Sequence, residues 1–435
     1  MEEVPEIGGG AELLSRLPAH VAASATRIAT SLRESGHQAW IVGGAVRDLL
    51  LDRSPKDVDL VTDAHPEEVE ALFERTVAVG ISFGVVVVLD GDLQIEVATF
   101  REERGYSDRR RPDEIRYAAD PAVDARRRDF TCNALFLDPL DGRLIDPTGG
   151  ASDLAAGLLR TVGEPAARFR EDGLRLLRMA RFAASLGLEP APGLVTAAKA
   201  EAAALEGVSP ERVLDELLKI VRCAPPLRNV QRAVGILHAC GLAERSLPGW
   251  RDGDEGEERV AIVGALEAIL PPVAPELLLA ALLPADAVAA DGALRSLRAS
   301  NELRESVRAI IAVEPEVVAA GGRSLIELQF EGLGALIELC RDPAAQQGAL
   351  LRRERLRRSE PSAGEALWAN WSDLVQRSAT APDVPVELRA ADLLEMGVAR
   401  GPDLGEGLRR VRHASLGGAF TDRDGALAWA RASLR

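Results

Sequence analysis

Residues 41–60 read IVGGAVRDLLLDRSPKDVDL, and this stretch decides the fold of the 435-residue chain. An apolar strand over residues 40–42 runs into Gly43 and Gly44, and the run 45–51 that follows is typical of a helix. Glycine lets a backbone approach a phosphate closely, and the N-terminus of the next helix favours an anion. The stretch therefore predicts a turn that can hold a phosphate group.

Two aspartates, Asp57 and Asp59, follow this helix with one apolar residue between them. Because residues i and i+2 of a strand face the same side, both carboxylates can point together. Two like charges at that separation need a cation between them or a raised pKa, and Mg²⁺ is usually held by one or two carboxylates plus substrate phosphates. The combination indicates a metal-dependent nucleotidyl-transfer site. Each half alone is also typical of an ordinary tight turn or a solvated strand end.

The spacing of these residues resembles the first motif of the nucleotidyltransferase superfamily. Within it, the chain resembles the bacterial-type (class II) tRNA nucleotidyltransferase and poly(A) polymerase family, whose motif is Gly-Gly-x-x-Arg-Asp followed by Asp-x-Asp. The matching residues here are Gly43, Gly44, Arg47, Asp48, Asp57 and Asp59. The resemblance implies Mg²⁺ as cofactor, Asp57 and Asp59 as catalytic metal ligands, and nucleotide binding by Gly43, Gly44 and Arg47.

A third carboxylate is expected beside this pair, and Glu96 is the candidate. It lies in the predicted strand 93–100, which forms a hairpin with the predicted strand 85–89. Glu96 alternates with Ile95 and Val97, so it can face the site while they face the core, although a solvated strand glutamate alternates in the same way. With two metal ions, the acids would bind the nucleotide phosphates and activate an RNA 3′-hydroxyl.

Residues 126–135 read RRRDFTCNAL, a basic run before an apolar segment. Arginines here suit a phosphate clamp, although a basic run alone is usually a solvated face. The string from Arg127 to Ala134 resembles the second motif of the same family, Arg-Arg-Asp-Phe-Thr-x-Asn-Ala, with Cys132 at a position that is usually aliphatic or Met. The resemblance implies that Arg128 contacts the nucleotide triphosphate.

Residues 171–182 read EDGLRLLRMARF and offer a means of selecting a base. Asp172 precedes Arg175 by one helical turn. Cytosine and adenine share an amino donor beside a ring-nitrogen acceptor, which a carboxylate and an arginine can bind. Uracil and guanine would leave both groups mismatched, and this gives strong discrimination. An ordinary surface ion pair would have the same spacing.

The same string resembles the family's Glu-Asp-x-x-Arg motif. The resemblance implies base reading by Asp172 and Arg175, with further nucleotide contact or support from Arg178 and Arg181. Gly173 departs from the family pattern, in which proline is common, and we expect it to loosen the start of the helix slightly.

Residues 209–219, SPERVLDELLK, resemble the family's fifth motif, Glu-Arg-x-x-x-Glu, through Glu211, Arg212 and Glu216. Ser209 and Pro210 are typical of a helix start. We expect this helix to brace the base-reading helix through a structural network of charged side chains.

The predicted fold class is α+β, because strand patterns nearly vanish after residue 150 and Leu and Ala then recur at helical spacing. The resemblance implies a polymerase-β-like head of mixed sheet and helices followed by an all-helical remainder. Within the head, the charged sequence of residues 101–128 predicts a loop. The expected parts are a flexible leader (1–20), the nucleotidyltransferase head (21–150), a neck with the base-reading helix (151–222), a body (223–350) and a tail (351–435).

The composition limits the location and the partners of the chain. A net charge of −16 argues against a nonspecific nucleic-acid coat. Four scattered cysteines predict free thiols in a reducing compartment. We find no apolar run of membrane-spanning length and no signal-peptide pattern, so we expect a cytoplasmic protein without a membrane partner.

The resemblance implies template-independent addition of CMP, CMP and AMP, from CTP and ATP, to the 3′ end of tRNA. One alternative is addition of A alone or of CC alone. CC-only addition has less support, because CC-only relatives resemble versions with segment 101–126 shortened, whereas this segment is long and intact here. A second is poly(A) polymerase, but residues 78–88, AVGISFGVVVV, lack the basic Gly-Arg-Arg-Phe-like string of those relatives. A third is a catalytically silent RNA-binding relative, against which the intact acids and arginines argue.

Overall fold

The computed structural model describes residues 6–7, 9–77, 84–105, 114–223, 229–268, 274–312, 341–360 and 385–434, with 362, 365, 368–369, 371–373 and 375–376. The chain divides into two compact units, Met1–Ser246 and Leu247–Arg435. This division falls within the predicted body, and the boundaries of neck, body and tail stay predictions. All residues with predicted chemistry belong to the first unit.

The first unit is built on a mixed sheet. Its strands are β1 (Glu6–Ile7), β2 (Ala39–Val42), β3 (Asp59–Thr62), β4 (Thr76–Val77), β5 (Val85–Asp90), β6 (Leu93–Thr99), β7 (Arg101–Arg104), β8 (Glu114–Tyr117), β9 (Phe136–Leu137), β10 (Leu144–Ile145), β11 (Leu158–Leu159) and β12 (Glu189–Pro190). Eight of them form one sheet in the order β1-β10-β9-β2-β3-β6-β5-β4. Strands β3 and β6 are parallel, whereas the other neighbours in this sheet are antiparallel.

Helices surround this sheet and continue beyond it. They are α1 (Gly10–Ser15), α2 (Ala19–Glu34), α3 (Gly44–Leu50), α4 (Pro66–Leu72), α5 (Pro121–Arg127), α6 (Gly150–Ala155), α7 (Pro165–Glu171), α8 (Leu174–Leu186), α9 (Leu194–Ala200), α10 (Pro210–Val221), α11 (Val230–Ala239) and α12 (Ala243–Ser246). Short 3-10 helices cover Thr131–Asn133 and Ala202–Gly207. A mixed sheet followed by helices confirms the predicted fold class.

The core beneath the central strands is almost entirely apolar. All four residues of β2 are buried, because the sheet is covered on both faces there. Trp40 and Val42 pack in one cluster with Phe100 and Phe136, whose rings meet edge to face at 6.4 Å. This packing fixes the end of β2, and therefore the Gly43–Gly44 turn that follows it.

The predicted flexible leader is partly ordered. Strand β1 pairs with β10, and Leu13 and Leu17 are buried. A Cβ on Gly10 would lie 1.5 Å from the carbonyl oxygen of Gly142, so these two backbone segments are in direct contact. Residues 9–20 therefore pack onto the head, which corrects the expectation of a flexible segment.

The charged segment 101–128, predicted as a loop, contains regular structure. Strands β7 and β8 pair antiparallel, and helix α5 follows. Asp120 accepts a hydrogen bond from the backbone N–H of Ala122 and caps α5. Of the two segments that were used to choose among activities, residues 106–113 and 78–83 lie outside the described residues.

The regular elements of the second unit, within its described residues, are all helices. They cover Asp254–Glu267, Pro275–Leu282, Ala287–Ser296, Asn301–Ala312, Pro343–Ser359, Ala390–Glu395, Pro402–Leu416 and Arg423–Ser433. Among the described residues, no single helix has the length and apolar character needed to cross a membrane. Pro275–Leu282 and Ala287–Ser296, bent by 100°, meet that criterion only as a pair, by length and composition.

Candidate active site

Three carboxylates converge where β3 and β6 run side by side. Leu60 pairs with Val97 in this parallel register, so the preceding residues, Asp59 and Glu96, are neighbours on the opposite face. Asp57 and Asp59 flank a buried valine and are both exposed, as is Glu96. The predicted alternation of the acidic and apolar residues is therefore confirmed.

The electrostatics of Asp59 reflect this crowding. Burial within the site, followed by the negative charges of Glu96 and Asp57, raises the pKa of Asp59 to about 6, against the opposing charge of Arg128. Because part of the side chain still meets water, the desolvation is incomplete. A cation between the acids would remove the repulsion that the two neighbouring carboxylates impose.

The donor set fits a hard divalent cation. Within the described residues, no group of three or more His, Cys, Asp or Glu has the geometry of an all-protein metal cage. Mg²⁺ rarely uses such a cage, because it keeps water and is held by one or two carboxylates plus substrate phosphates. Asp57 and Asp59, with Glu96 beside them, supply carboxylate oxygens of this kind.

A polar cleft of about 460 Å³ opens beside Asp59. Its walls come from the sheet, from α5 and from the start of α8. The predicted site residues that line it are Gly43, Gly44, Asp59, Arg128, Asp172, Arg175 and Arg178. Other lining residues, for which no nucleotide contact was predicted, include Arg101, Glu103, Arg127, Asp129, Asn133, Phe182 and Arg212. The predicted residues Asp57, Glu96, Arg47 and Arg181 are not among the lining residues.

The glycine turn brings backbone close to an arginine. Gly43 has φ 69°, a conformation that favours glycine. A Cβ at this position would lie 3.3 Å from Nη1 of Arg128 and 3.6 Å from the carbonyl oxygen of Asn133. A side chain here would therefore press on the arginine that the sequence predicts to contact the triphosphate.

Arg47 lies behind this turn and is bound by protein acceptors. Its Nη1 donates to Oδ1 of Asn133 at 2.8 Å, and its Nε donates to Oδ1 of Asp48 at 2.9 Å. The guanidinium carbon lies 5.3 Å from the ring centre of Phe182. These contacts support the turn, and the direct nucleotide contact of Arg47 stays a prediction.

Arg128 is held in place by a buried carboxylate. Its Nη2 and Nε donate to Oδ2 of Asp124 at 2.7 and 3.0 Å, and Arg127 donates to the other oxygen at 2.7 Å. Burial alone would raise the pKa of Asp124, but the charges of the two arginines hold it below its ordinary value. Asp124 was missed, although its spacing of four residues from Arg128 on a helix was a usable signal.

The sequence predicted Asp172 and Arg175 on one helix, and this was wrong. Asp172 follows the end of α7, and α8 begins two residues later at Leu174. The Asp172 carboxylate accepts hydrogen bonds from Arg212 at 2.8 and 3.3 Å and from the backbone N–H of Leu174 at 3.0 Å. Since a carboxylate offers about four acceptor positions, roughly one remains for a ligand.

Arg175 is buried and preset in a similar way. Its Nη1 donates to Oε2 of Glu171 at 2.6 Å and to the carbonyl oxygen of Arg168 at 3.1 Å. Its Nη2 donates to the carbonyl oxygen of Arg127 at 3.1 Å. Because a guanidinium carries about five N–H donors, roughly two remain for a ligand.

Two residues of α10 hold the base-reading segment as predicted, one through Asp172 before α8 and one through α8 itself. Arg212 holds Asp172, as described above. The buried Glu216 accepts from Nε of Arg181 at 2.7 Å and lies 3.8 Å from Nη1 of Arg178. Arg181 is therefore part of this network, whereas the sequence also allowed it a nucleotide contact.

The expectation that Gly173 loosens the helix start slightly stays a prediction, but the structure gives another reason for glycine at this position. Its φ of −59° needs no glycine. However, a Cβ on Gly173 would lie 2.2 Å from the carbonyl oxygen of Ala204, in the 3-10 helix Ala202–Gly207. Glycine is required because two backbone segments approach each other closely beside Asp172.

We expect Gly173→Ala to destabilise the protein by about 1–3 kcal/mol, because the added methyl must displace backbone. The midpoint of urea unfolding measures this loss. Gly292→Ala is the matched control, since a Cβ at that helical glycine meets nothing within 4 Å. Equal midpoints for Gly173→Ala and the wild type would contradict the close backbone contact.

Comparison with known proteins adds independent information. The family "Poly A polymerase head domain" matches residues 39–160, and "Probable RNA and SrmB-binding site of polymerase A" matches residues 187–252. The first match contains the glycine turn, the three carboxylates and Arg128. Over these residues the chain is similar to the poly(A) polymerase head and to the RNA-binding segment that accompanies it.

Relatives with named activities match about half of the chain. The CCA-adding enzyme of Bacillus pumilus is 43% identical over 219 residues, 50% of this chain and 53% of the relative. That of Limosilactobacillus fermentum is 43% identical over 194 residues, 45% of this chain and 48% of the relative. The chain thus spans about half the length of these relatives.

Solved structures extend the similarity in fold. The Bacillus stearothermophilus CCA-adding enzyme in complex with CTP has a TM-score of 0.69 at 28% identity, covering 94% of this chain and 96% of that chain. The Thermotoga maritima CCA-adding enzyme complexed with tRNA has a TM-score of 0.72 at 19% identity, covering both chains fully (100% each). The latter similarity concerns the fold alone.

Proposed function

We propose that this chain adds CMP, CMP and AMP, from CTP and ATP, to the 3′ end of tRNA without a nucleic-acid template. The observation that carries this proposal is that one cleft holds three features. They are the acidic residue Asp59, Arg128 beside the glycine turn, and the side chains of Asp172 and Arg175, which are already fixed by hydrogen bonds. These are the parts needed for nucleotidyl transfer, in which pyrophosphate is the leaving group, and for selection of a base. The names of the relatives, CCA-adding enzymes, support the same reaction.

The phosphate end of the cleft neutralises and orients a triphosphate. Asp57 and Asp59 would hold divalent metal, which we propose to be Mg²⁺, and Glu96 would supply a third carboxylate beside them. When bound, the metal neutralises the phosphates and activates the attacking 3′-hydroxyl. Arg128, already fixed by Asp124, presents its guanidinium beside the backbone of Gly43. Positioning and charge neutralisation of this kind provide most of the catalysis in phosphoryl transfer.

The other end of the cleft selects the base. The remaining acceptor position of Asp172 can receive the amino group of cytosine or adenine, and the remaining donors of Arg175 can reach the adjacent ring nitrogen. Both side chains are fixed before a nucleotide arrives, so a uracil or guanine leaves buried polar groups unpaired. The protein itself thereby replaces a template.

Further parts of the proposal concern location and the alternative activities. Cys132 and Cys240 are buried free thiols, which is typical of a reducing compartment, and we propose the cytoplasm. Addition of A alone, addition of CC alone, poly(A) synthesis and a silent RNA-binding role predict different products, so one experiment separates them from CCA addition.

A competition between RNAs tests the substrate class. Purified protein with CTP and ATP would be given a tRNA that lacks its 3′ CCA and an unrelated RNA of equal length, with Mg²⁺ or with EDTA. We expect incorporation into the tRNA only, and its loss when EDTA removes the metal. Long A tails on both RNAs would indicate a poly(A) polymerase, and no incorporation into either would support the silent reading.

A further inference from the structure

A chain of polar contacts connects the glycine turn with the base-reading helix. Arg47, on α3, donates to Oδ1 of Asn133 at 2.8 Å, and Nδ2 of Asn133 donates to Oδ1 of Asp129 at 3.0 Å. Arg178, on α8, donates through Nε to Oδ2 of Asp129 at 2.7 Å. We call Arg47, Asn133, Asp129 and Arg178 the buried polar chain, after its two buried central members, Asn133 and Asp129. It crosses from the first-motif helix to the helix that follows the base-reading turn.

Asp129 is the central member and is almost fully enclosed, with 8% of its surface exposed. Its Oδ1 also accepts from the backbone N–H of Phe130 at 2.8 Å. Burial alone would raise the pKa of Asp129, but the charge of Arg178, together with hydrogen bonds from Asn133, Arg178 and Phe130, lowers it to about 2. The carboxylate therefore stays charged, and its two oxygens hold two different elements of the fold.

An aromatic ring gives the same connection a second contact. The guanidinium carbons of Arg47 and Arg178 lie 5.3 and 5.1 Å from the ring centre of Phe182. Phe182 is buried and meets Phe130 edge to face at 5.7 Å. Cations over an aromatic face are attracted by its quadrupole, so the two ends of the buried polar chain are also held against one ring.

The geometry points to Asn133 and Asp129 as positioning residues that set the distance between the phosphate end and the base end of the cleft. A nucleotide bound at Gly43 and Arg128 can meet Asp172 correctly only if α8 stays at a fixed position relative to the glycine turn. The buried polar chain supplies that constraint without needing to touch the base. This inference rests on the proposed function, because it assumes that the cleft selects C and A over U and G.

The test measures base selectivity rather than rate alone. We would determine kcat/KM for CTP and for UTP with wild type, Asp129→Asn and Arg178→Lys. Asp129→Asn keeps the shape but removes the charge that binds Arg178. We expect the CTP/UTP ratio to fall about tenfold or more with Asp129→Asn, since misplacement by about 1 Å costs on the order of 10²-fold in rate for the correct substrate. Arg178→Gln, measured in the same way, should also lower the CTP/UTP ratio. Arg178→Lys keeps the positive charge and should lower the ratio less than Arg178→Gln does.

The matched control is Asp138→Asn. Asp138 is buried, as Asp129 is, and is paired with one arginine, Arg33, and one backbone N–H, that of Leu140, but it does not line the cleft. Its variant should leave the CTP/UTP ratio unchanged. If Asp129→Asn fails to fold, Asn133→Ala removes the hydrogen bonds that Asn133 makes in the buried polar chain without changing any charge. This variant should lower the same ratio.

Several outcomes would overturn the positioning role. One is an equal loss for CTP and UTP in Asp129→Asn, which is what a purely structural residue would cause. Another is a fall of the ratio in Asp138→Asn as large as in Asp129→Asn. If the wild type already uses UTP as well as CTP, or uses neither, the proposed function itself fails and the positioning role fails with it. A selective wild type with an unchanged ratio in Asp129→Asn removes only the positioning role.

Discussion

Replacing Asp59 by alanine is expected to abolish nucleotide addition and to leave the fold intact. A catalytic metal contributes several kcal/mol to the transition state. Because each 1.36 kcal/mol is tenfold in rate, we expect kcat to fall by about 10³-fold or more. Single-turnover incorporation of CMP into a tRNA without its 3′ CCA measures this loss. Asp92→Ala, in the exposed turn before β6, is the control and should keep wild-type activity.

The pKa of Asp59 also predicts whether the substitution Asp59→Asn raises or lowers the stability of the fold. The pKa of Asp59 is raised to about 6 in the folded protein from an ordinary value of 3.8, so its ionised form is disfavoured by folding. A carboxyl group of this kind weakens the fold as the pH rises from about 4 to about 6, and the cost persists above that range. Without added metal, Asp59→Asn should therefore unfold at neutral pH at the same temperature as the wild type or slightly higher. A lower midpoint, or retained activity, would contradict the role assigned to this residue.

Replacing Asp172 by alanine is expected to remove base selectivity. The variant loses the acceptor for the amino group of C or A, and it also leaves Arg212 without the carboxylate that it binds bidentately. Sites that reject a base by leaving hydrogen-bonding groups unpaired reach about 10⁴-fold discrimination or more. We expect the ratio of kcat/KM for CTP to kcat/KM for UTP to fall by about 10²-fold or more.

Asp215→Ala, on α10, controls for the loss of a carboxylate in this region. Asp215 is exposed and pairs with Lys219 at 2.8 Å on the helix surface, where an ion pair is worth little. Its variant should discriminate as the wild type does. Unchanged selectivity in Asp172→Ala would mean that the base is read elsewhere in the cleft.

Features that depend on neighbouring residues were predictable from the sequence. The turn at Gly43 and the alternation of Asp57 and Asp59 follow from local backbone geometry, and the hairpin of β5 and β6 follows from strand periodicity. The family resemblance then assigned these local patterns to one nucleotidyl-transfer site. Helix α3, expected over residues 45–51, covers Gly44–Leu50, a shift of one residue.

Partners that are distant in the sequence were not predictable. Arg47 binds Asn133, 86 residues away, and Gly173 abuts the backbone of Ala204. No local period encodes such pairs, because they depend on how finished elements pack. The same limit explains why Arg175 and Asp172 were placed on one helix. Helical spacing was correct as a pattern, but the chain turns between α7 and α8 at that point.

The most direct test of the proposed reaction is extension of a tRNA that lacks its 3′ CCA, followed at single-nucleotide resolution. Purified protein with Mg²⁺ would receive CTP alone, ATP alone, or both, beside Asp59→Ala. We predict two added nucleotides with CTP alone, none with ATP alone, three with both, and then a stop. A single A added only to tRNA that already ends in CC, a lengthening A ladder, or equal products from wild type and Asp59→Ala would contradict CCA addition by this cleft.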